Sequence, residues 1–399
     1  MKLSISVDLA VSGLIYIVVA GFVAQIGILT PYLAADYGVD ATVAASQFST
    51  LTTGFFLGTV LAFFLLDFLS VRLAIRLYAL VVLATTATMI YSQSLILTSV
   101  LFAITGFCLG VSTCLAGMLV AKGKEGKARE MSFIGLDAAY NFGGLIFPAL
   151  SAYVLMQSQT WELSLLIVAS LTVWILFLSF GLKDDYEKEE SPEGESPNFS
   201  PVWSHGVLVA GTALFLVIVA KYSIVLWLPQ YYQEHLSYTL QEAAELVSTI
   251  FGSALVGTVL GVLIVARMRL VYFIVFVLTA GLFSSVLLSF ALGYYAALGA
   301  AALYGLAIAA LYNVFIAYGL NYVHRPSHKH VSFVIICSGI AATIAPALSS
   351  AVVSSFASIR VVMLLSPLLY LAAITLLLVH QAFIKLSTIS DQDSGRLTE

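Results

Sequence analysis

The sequence predicts an all-α integral membrane protein whose twelve transmembrane helices form two similar six-helix bundles. Hydrophobic residues make up 61% of the 399 residues, and charged residues make up only 10%. Soluble domains contain about 45–50% apolar and about 25% charged residues, so the excess apolar side chains must face lipid. An internal repeat and a one-sided distribution of lysine and arginine support the same prediction.

The second half of the chain repeats the first at a nearly constant offset, close to half the chain length. The segments ST at 49–50 and GTVL at 58–61 recur at 248–249 and 257–260, and PALS at 148–151 recurs at 346–349. Each half also contains a series of apolar segments of membrane length, so the repeat indicates a duplicated membrane bundle. Parallel repeats of this kind are a known transporter architecture, with the substrate site between the halves.

Each predicted span satisfies the requirement of about 20 mostly apolar residues for crossing a bilayer. The first six spans lie near 9–33, 43–66, 73–92, 95–121, 131–156 and 161–182, and the second six near 206–233, 243–266, 270–290, 293–322, 331–356 and 360–384. Residues 183–204 between them are acidic and rich in Pro and Ser, a composition that cannot bury apolar surface. The predicted domains are therefore a bundle at 1–182, a cytoplasmic linker at 183–204, and a bundle at 205–399 that ends in a short cytoplasmic tail.

The basic residues orient these spans. With the N-terminus inside, Arg360 is the only one of the 17 lysines and arginines outside, and Lys221 falls within a span. By the positive-inside rule this predicts a multi-pass protein of the plasma membrane, the inner membrane in a bacterium, with both termini cytoplasmic. The three cysteines lie in apolar segments without CxxC or Cys/His spacing, so we expect no disulfide, no metal site and no cofactor.

Several segments resemble a known transporter family. The loop between predicted helices 2 and 3 reads LLDFLSVRLAIR at 65–76, a degenerate form of a Major Facilitator Superfamily signature. With the six-plus-six topology and the long central loop, the chain resembles that superfamily over essentially its whole length. DAAYNFGGLIFP at 137–148, KYSIVLWLPQY at 221–231 and HVSFVIICSGI at 330–340 are most similar to TsgA-like members of its fucose–proton symporter branch.

The resemblance has consequences for the acidic positions. Sugar-transporting members of that branch resemble one another in acids on helices 1 and 4, where this chain has Gly27 and Thr113. The departure argues against sugar transport and against the usual proton site. TsgA-like proteins keep an acid on helix 5, which matches Asp137, and tend to have glutamine where this chain has Lys221.

Asp137 and Lys221 are the two charged side chains predicted to lie well inside spans. A charge at the centre of a membrane helix costs about 2.5–3.5 kcal/mol on insertion scales, so such residues face a cavity or a partner. Asp137 is a candidate proton site, and the alternative is a structural acid that bonds helix-end amides or Arg129. The resemblance places Lys221 on a cavity-lining helix, where it would favour an anionic or zwitterionic solute. Its alternative is a salt bridge to Asp137, although their depths differ by ~10 Å.

Neutral polar side chains and rim charges complete the candidate site. Candidate solute ligands, each with an interhelical hydrogen bond as the alternative, are Gln25, Tyr140, Asn141, Tyr312, Asn313 and Ser338. The resemblance implies a gating role at the cytoplasmic rim for Asp67, Arg72 and Arg129. The basic run at 324–330 has no acid close in sequence, so we interpret it as a positive-inside anchor. Small residues on helices 2 and 8 predict close helix packing, namely Gly54, Gly58, Gly252, Ser253 and Gly257.

The predicted function is secondary active transport of a small polar solute by alternating access, coupled to protons. No Walker A sequence is present, so ATP-driven transport would need a partner chain. One alternative is a receptor or regulator that binds a solute without moving it. A membrane enzyme is the other, against which no intramembrane His/Asp or Ser/His constellation is found. We expect a monomer whose partners are the solute, protons and the bilayer, with no nucleic acid.

Overall fold

A computed structural model describes residues 6–39, 41–158, 160–182, 204–238, 240–291, 293–323, 326–356 and 358–396. Within these ranges the chain forms fourteen α-helices. They are α1 (Val7–Ala24), α2 (Ile26–Tyr37), α3 (Ala41–Leu65), α4 (Val71–Met89), α5 (Leu95–Gly123), α6 (Gly126–Ser158), α7 (Trp161–Ser179), α8 (His205–Leu236), α9 (Leu240–Val265), α10 (Leu270–Phe290), α11 (Tyr294–Ile308), α12 (Leu311–Leu320), α13 (His328–Phe356) and α14 (Ile359–Arg396).

Twelve predicted spans account for fourteen helices because two spans are broken. The span predicted at 9–33 is divided into α1 and α2 at Gln25, and the span predicted at 293–322 is divided into α11 and α12 at 309–310. Among the described residues, ten helices are long and apolar enough to cross a membrane, and the shorter apolar helix Thr50–Leu65 lies within α3. The prediction of an all-α membrane protein is confirmed. At the C-terminus α14 continues to Arg396, where the sequence predicts a short tail.

Serine hydroxyls begin several of the helices. Ser6, Ser70, Ser94 and Ser204 each precede a helix in extended backbone and accept a hydrogen bond from the amide three residues on. This contact satisfies one of the four amides that a helix N-terminus leaves without an intrahelical partner. The serines therefore define the starts of α1, α4, α5 and α8.

The chain divides into two compact units. Unit 1 contains α1 to α7 together with residues 325–336, and unit 2 contains α8 to α12, the rest of α13 from Cys337, and α14. The start of α13 thus belongs to the same unit as the first half of the chain, although it follows most of the second half in sequence. The predicted linker lies outside the described residues except for Ser204, and the predicted domain boundaries remain a prediction.

Small residues bring helix backbones into contact in unit 1. A methyl group at Gly54 or Gly58 of α3 would overlap the carbonyl oxygen of Ala103 or Phe107 on α5. Gly106 and Gly110 of α5 approach α3 in the same way. Without a hydrophobic driving force between helices in lipid, such small-residue faces supply the packing. The predicted role of Gly54 and Gly58 is confirmed.

Unit 2 repeats this packing between α9 and α11. A methyl group at Gly257 would lie 2.7 Å from the carbonyl oxygen of Leu306, and one at Gly305 would overlap Ser253. Gly252 has no heavy atom within 4 Å of such a methyl group, so it contributes nothing to this contact. The duplication read from the sequence thus reappears as the same kind of helix contact in both units.

A hydroxyl compensates for the proline inside α14. Pro367 lacks an N–H, so the carbonyl of Met363, four residues earlier, loses its intrahelical donor. The Ser289 hydroxyl of α10 donates to that carbonyl oxygen at 3.2 Å. In lipid an unsatisfied backbone group costs several kcal/mol, so this bond allows a proline within a membrane helix.

Candidate functional site

Asp137 lies on α6, ~16 Å along the helix from its first residue, Gly126, at 1.5 Å per residue. The structure begins this helix at Gly126, five residues before the predicted span. Asp137 is buried, and half-buried Tyr140 and Asn141 follow it. Residues three and four apart share a helix face. Asp137, Tyr140 and Asn141 therefore form one polar patch on α6.

Close packing against α1 holds this part of α6. A methyl group at Gly143 would lie 2.7 Å from the carbonyl oxygen of Ile17 and 3.1 Å from the Cβ of Ala20. Glycine is required there because the neighbouring atoms include backbone, which cannot move aside. The polar patch that starts at Asp137 is thus held on a rigid helix pair.

Gln25 lies at the break between α1 and α2, and both the nitrogen and the oxygen of its side-chain amide form hydrogen bonds. Its Nε2 donates to the carbonyl oxygen of Gly21 at 2.6 Å, four residues earlier, where a continuous helix would use a backbone N–H. Its Oε1 accepts a hydrogen bond from Ser151 of α6. Gln25 is fully buried, so in this structure it joins the broken helix to α6, and its role as a solute ligand remains a prediction.

Asp67, between α3 and α4, has basic partners at the start of α13. Lys329 Nζ lies 2.8 Å from Asp67 Oδ2, and His328 Nε2 lies 3.2 Å from Asp67 Oδ1. The expectation that the basic run at 324–330 has no acidic partner is therefore wrong, and its role as a positive-inside anchor remains a prediction. The partner is distant in sequence, and only the folding of α13 onto unit 1 brings it close.

Aromatic and apolar groups surround the ion pair between Asp67 and Lys329. Lys329 also lies over the Phe63 ring, 5.8 Å from its centroid. Next to the ion pair, Val331 of α13 packs against Gly117 of α5, where a methyl group would lie 2.5 Å from the valine Cγ1. Ser332 of α13 lies close to buried Cys114 of α5. Together these contacts attach the first turns of α13 to unit 1.

Arg72 and Arg129 occupy the same end of unit 1 as Asp67 but contact other groups. The Arg72 guanidinium donates to the carbonyl oxygen of Leu182, just after α7. Arg129 lies before the predicted span 131–156. Burial lowers the pKa of its guanidinium, and the charges of Glu130 and Glu125 oppose that shift. Glu130 also accepts a 2.8 Å salt bridge from Lys127.

In unit 2 the candidate residues lie on α8, α12 and α13. Lys221 is half-buried on α8, ~24 Å along the helix from His205. Beside it, the Ser366 hydroxyl donates to the carbonyl oxygen of Ala220 at 3.1 Å. Half-buried Tyr312 and fully buried Asn313 follow the break between α11 and α12, and Ser338 is buried on α13.

The predicted site residues thus fall into two groups, one in each unit. Gln25, Asp137, Tyr140, Asn141 and the three rim residues belong to unit 1, and Lys221, Tyr312, Asn313 and Ser338 belong to unit 2. Sequence reasoning missed Ser151 as the partner of Gln25, although it belongs to the repeated PALS segment. Among the described residues, no group of three or more His, Cys, Asp or Glu side chains could hold a metal ion.

Comparisons with known proteins agree with this architecture. Residues 12–335 match the sequence profile of the Major Facilitator Superfamily. The chain is 25% identical to Protein TsgA of Escherichia coli O157:H7 (strain EC4115 / EHEC) over 331 residues, which cover 83% of this chain and 84% of the relative. Against Protein TsgA of Escherichia coli O6:K15:H31 (strain 536 / UPEC) the identity is 26% over 332 residues, with the same coverage.

Solved structures share the fold at low sequence identity. The E. coli fucose:proton symporter FucP superposes with a TM-score of 0.76 at 16% identity, covering 94% of this chain and 98% of that one. The human organic anion transporter MFSD10 superposes with a TM-score of 0.70 at 15% identity, covering 93% and 98%. With the profile match over most of the chain, these findings show that the chain is a multi-pass membrane protein that belongs to the Major Facilitator Superfamily, a family of membrane transporters.

Proposed function

We propose that the protein is a proton-coupled secondary transporter that moves a small polar solute with a negative group by alternating access. The carrying observation is that each unit places a charged side chain well inside a membrane-length helix, Asp137 on α6 and Lys221 on α8. Such residues are costly in a membrane and mark ion or substrate pathways. Two structural relatives are proton symporters, for fucose and for xylose.

Asp137 is the proposed proton site. It is 7% exposed and lies beside polar Tyr140 and Asn141, with helix above and below it. Burial favours the neutral form of a carboxyl group, and a nearby cation or water favours the ionised form. A carboxyl group that meets these two environments alternately binds a proton in one state of the carrier and releases it in the other.

Lys221 is the proposed contact for the solute. An ammonium group that is partly removed from water within a mostly apolar stretch of helix attracts a carboxylate, a phosphate or a zwitterion. Tyr312, Asn313 and Ser338 belong to the same unit and supply hydrogen-bonding groups for the rest of a polar solute. A glutamine at this position, as tends to occur in TsgA-like proteins, would bind a neutral group instead.

Asp67 and its partners form the proposed gate, with Arg72 and Arg129 at the same end. Residues 325–336 join unit 1 while the rest of α13 joins unit 2, so the ion pair with Lys329 secures a helix that both units share. Loss of this pair would weaken the state with this end closed. By the positive-inside rule this end is cytoplasmic, in the plasma membrane of a bacterium.

The test is transport by purified protein in liposomes. Solute-induced currents and lumenal pH would be recorded for organic acids, amino acids, sugars and drugs, using the wild type, Asp137→Asn and Lys221→Gln. Asp8→Asn and Lys122→Gln are the matched controls, because both residues lie near helix ends. Each pair of variants removes the same charge, once inside the membrane and once at its surface.

The proposal predicts that an anionic or zwitterionic solute moves with protons in the wild type. Asp137→Asn should keep solute exchange and lose proton movement, and Lys221→Gln should lose the anionic solute. Normal coupling in Asp137→Asn would refute the proton site. If no solute in the panel moves, transport itself is refuted for these solutes, and saturable binding without movement would favour the receptor function.

A further inference from the structure

We propose a second binding site on this protein, for a small organic cation, at the end of unit 1 opposite Asp67. A cleft of about 390 Å³ opens there between the end of α2 and the start of α7. It is lined by Tyr32, Ala35, Asp36, Thr160, Trp161 and Glu162. All six residues belong to unit 1, so the cleft is formed by one unit alone.

Glu162 is the residue that makes this cleft a candidate site. It lines the cleft, yet the residue as a whole is only 7% exposed. Within the described part of the chain, its carboxylate has no hydrogen bond or ion pair with another residue. A buried charge is costly unless it is paired. A bound cationic ligand can therefore supply the partner that the Glu162 carboxylate lacks.

A second carboxylate enters the same cleft. Asp36 accepts a hydrogen bond from the indole nitrogen of Trp161 at 3.2 Å, the residue next to Glu162 in sequence. The Trp161 ring is itself held in place, 6.1 Å from the Phe102 ring. Two like charges that share one cleft repel each other, so a bound cation would stabilise both.

Among the described residues of unit 1, no lysine or arginine lies in the segments that connect helices at this end. These segments are 38–40, 90–94 and 159–160. Tyr37 confirms that they share one end, because its hydroxyl donates to the carbonyl oxygen of Ser92 at 3.0 Å. The Arg76 guanidinium donates a hydrogen bond to Ser179 at the other end of α7, ~25 Å from Glu162 along the helix.

Volume and chemistry favour an organic cation over a metal ion. Ca²⁺ takes six to eight oxygen ligands, whereas two carboxylates line this cleft. The volume lies within the range of about 300–1,000 Å³ that small-molecule pockets occupy. Tyr32 is half-buried and adds aromatic surface, and an ammonium group is attracted to the face of an aromatic ring. The ligand class is therefore a small alkylammonium or guanidinium compound.

Titration with tetramethylammonium tests the proposal. Trp161 is the reporter, in a variant whose other three tryptophans are replaced by phenylalanine, with NaCl exchanged to keep ionic strength constant. We expect a saturable fluorescence change, and the wild-type chain should show a saturable rise in its unfolding temperature, since a ligand that binds the folded state stabilises it. Glu162→Gln and Asp36→Asn should each weaken binding about ten-fold or more.

The control is Asp8→Asn, which removes a carboxylate in the first turn of α1 and should leave binding unchanged. Asp36 is exposed, so its amide variant tests the site even if Glu162→Gln fails to fold. Absence of saturable binding in the wild type, equal effects of Na⁺ and tetramethylammonium, or full binding by Asp36→Asn would each overturn the proposal. None of these outcomes bears on transport through Asp137.

Discussion

The contact between α3 and α5 provides a direct test of the helix packing. In Gly58→Ala, the added methyl group would lie 2.9 Å from the carbonyl carbon and 3.0 Å from the Cα of Phe107, and would overlap its carbonyl oxygen. Carbon atoms in favourable contact are about 3.5–4.0 Å apart. Because these neighbours are backbone atoms, the helices must separate by at least about 0.5–1 Å.

The cost of that separation can be worked out from two opposing effects. Overpacking a tight contact costs about 1–3 kcal/mol, whereas alanine in place of glycine within a helix contributes about 0.5–1 kcal/mol of stability. From the middle of each range, the net loss of stability for Gly58→Ala is about 1 kcal/mol. For a unit of about 200 residues this corresponds to a fall in Tm of about 2–4 °C.

The assay is thermal unfolding of purified protein in detergent, followed by circular dichroism. Gly252→Ala is the matched control, because the same methyl group in α9 would meet no heavy atom within 4 Å. We expect Gly252→Ala to unfold at the wild-type temperature or slightly above it. An unchanged Tm for Gly58→Ala, or an equal fall for Gly252→Ala, would refute the close backbone contact.

Two further predictions concern single hydrogen bonds and ion pairs. Ser289→Ala should lower the free energy of unfolding by about 1–3 kcal/mol because it leaves the Met363 carbonyl unsatisfied. Pro367→Ala restores a backbone donor to that carbonyl, so a double-mutant cycle should show coupling between the two sites, and simple additivity would contradict this account. Lys329→Gln should increase maleimide labelling of buried Cys114 several-fold, with the other two cysteines replaced by serine. Unchanged labelling would show that the ion pair does not secure α13.

Local sequence features account for much of the fold. The apolar spans and the serine caps at Ser6, Ser70, Ser94 and Ser204 depend on neighbouring residues alone, because burial in lipid and hydrogen bonding to the next turn are local effects. The glycine spacing of α3 predicted its close contact. Gly106 and Gly110 have the same four-residue spacing in the sequence, and the structure packs them against α3.

The candidate site was less predictable. The residue types of Asp137 and Lys221 identified them, since a charge in an apolar span is conspicuous in any sequence. The hydrogen bond from Ser151 to Gln25 could not be predicted from the sequence, because it depends on a helix break and on a residue far along the chain. The acidic partner of Lys329 was missed for the same reason.

The sequence by itself determined the membrane class, the duplication and the number of spans. These properties follow from composition and periodicity, because they determine whether each segment is more stable in lipid or in water. Only the tertiary structure decided where spans break, which carbonyl Ser289 satisfies, which acid Lys329 meets and which carboxylates share the cleft at Glu162. Those features arise when helices far apart in sequence pack together, and a backbone approach or an ion pair depends on distances that no local pattern encodes.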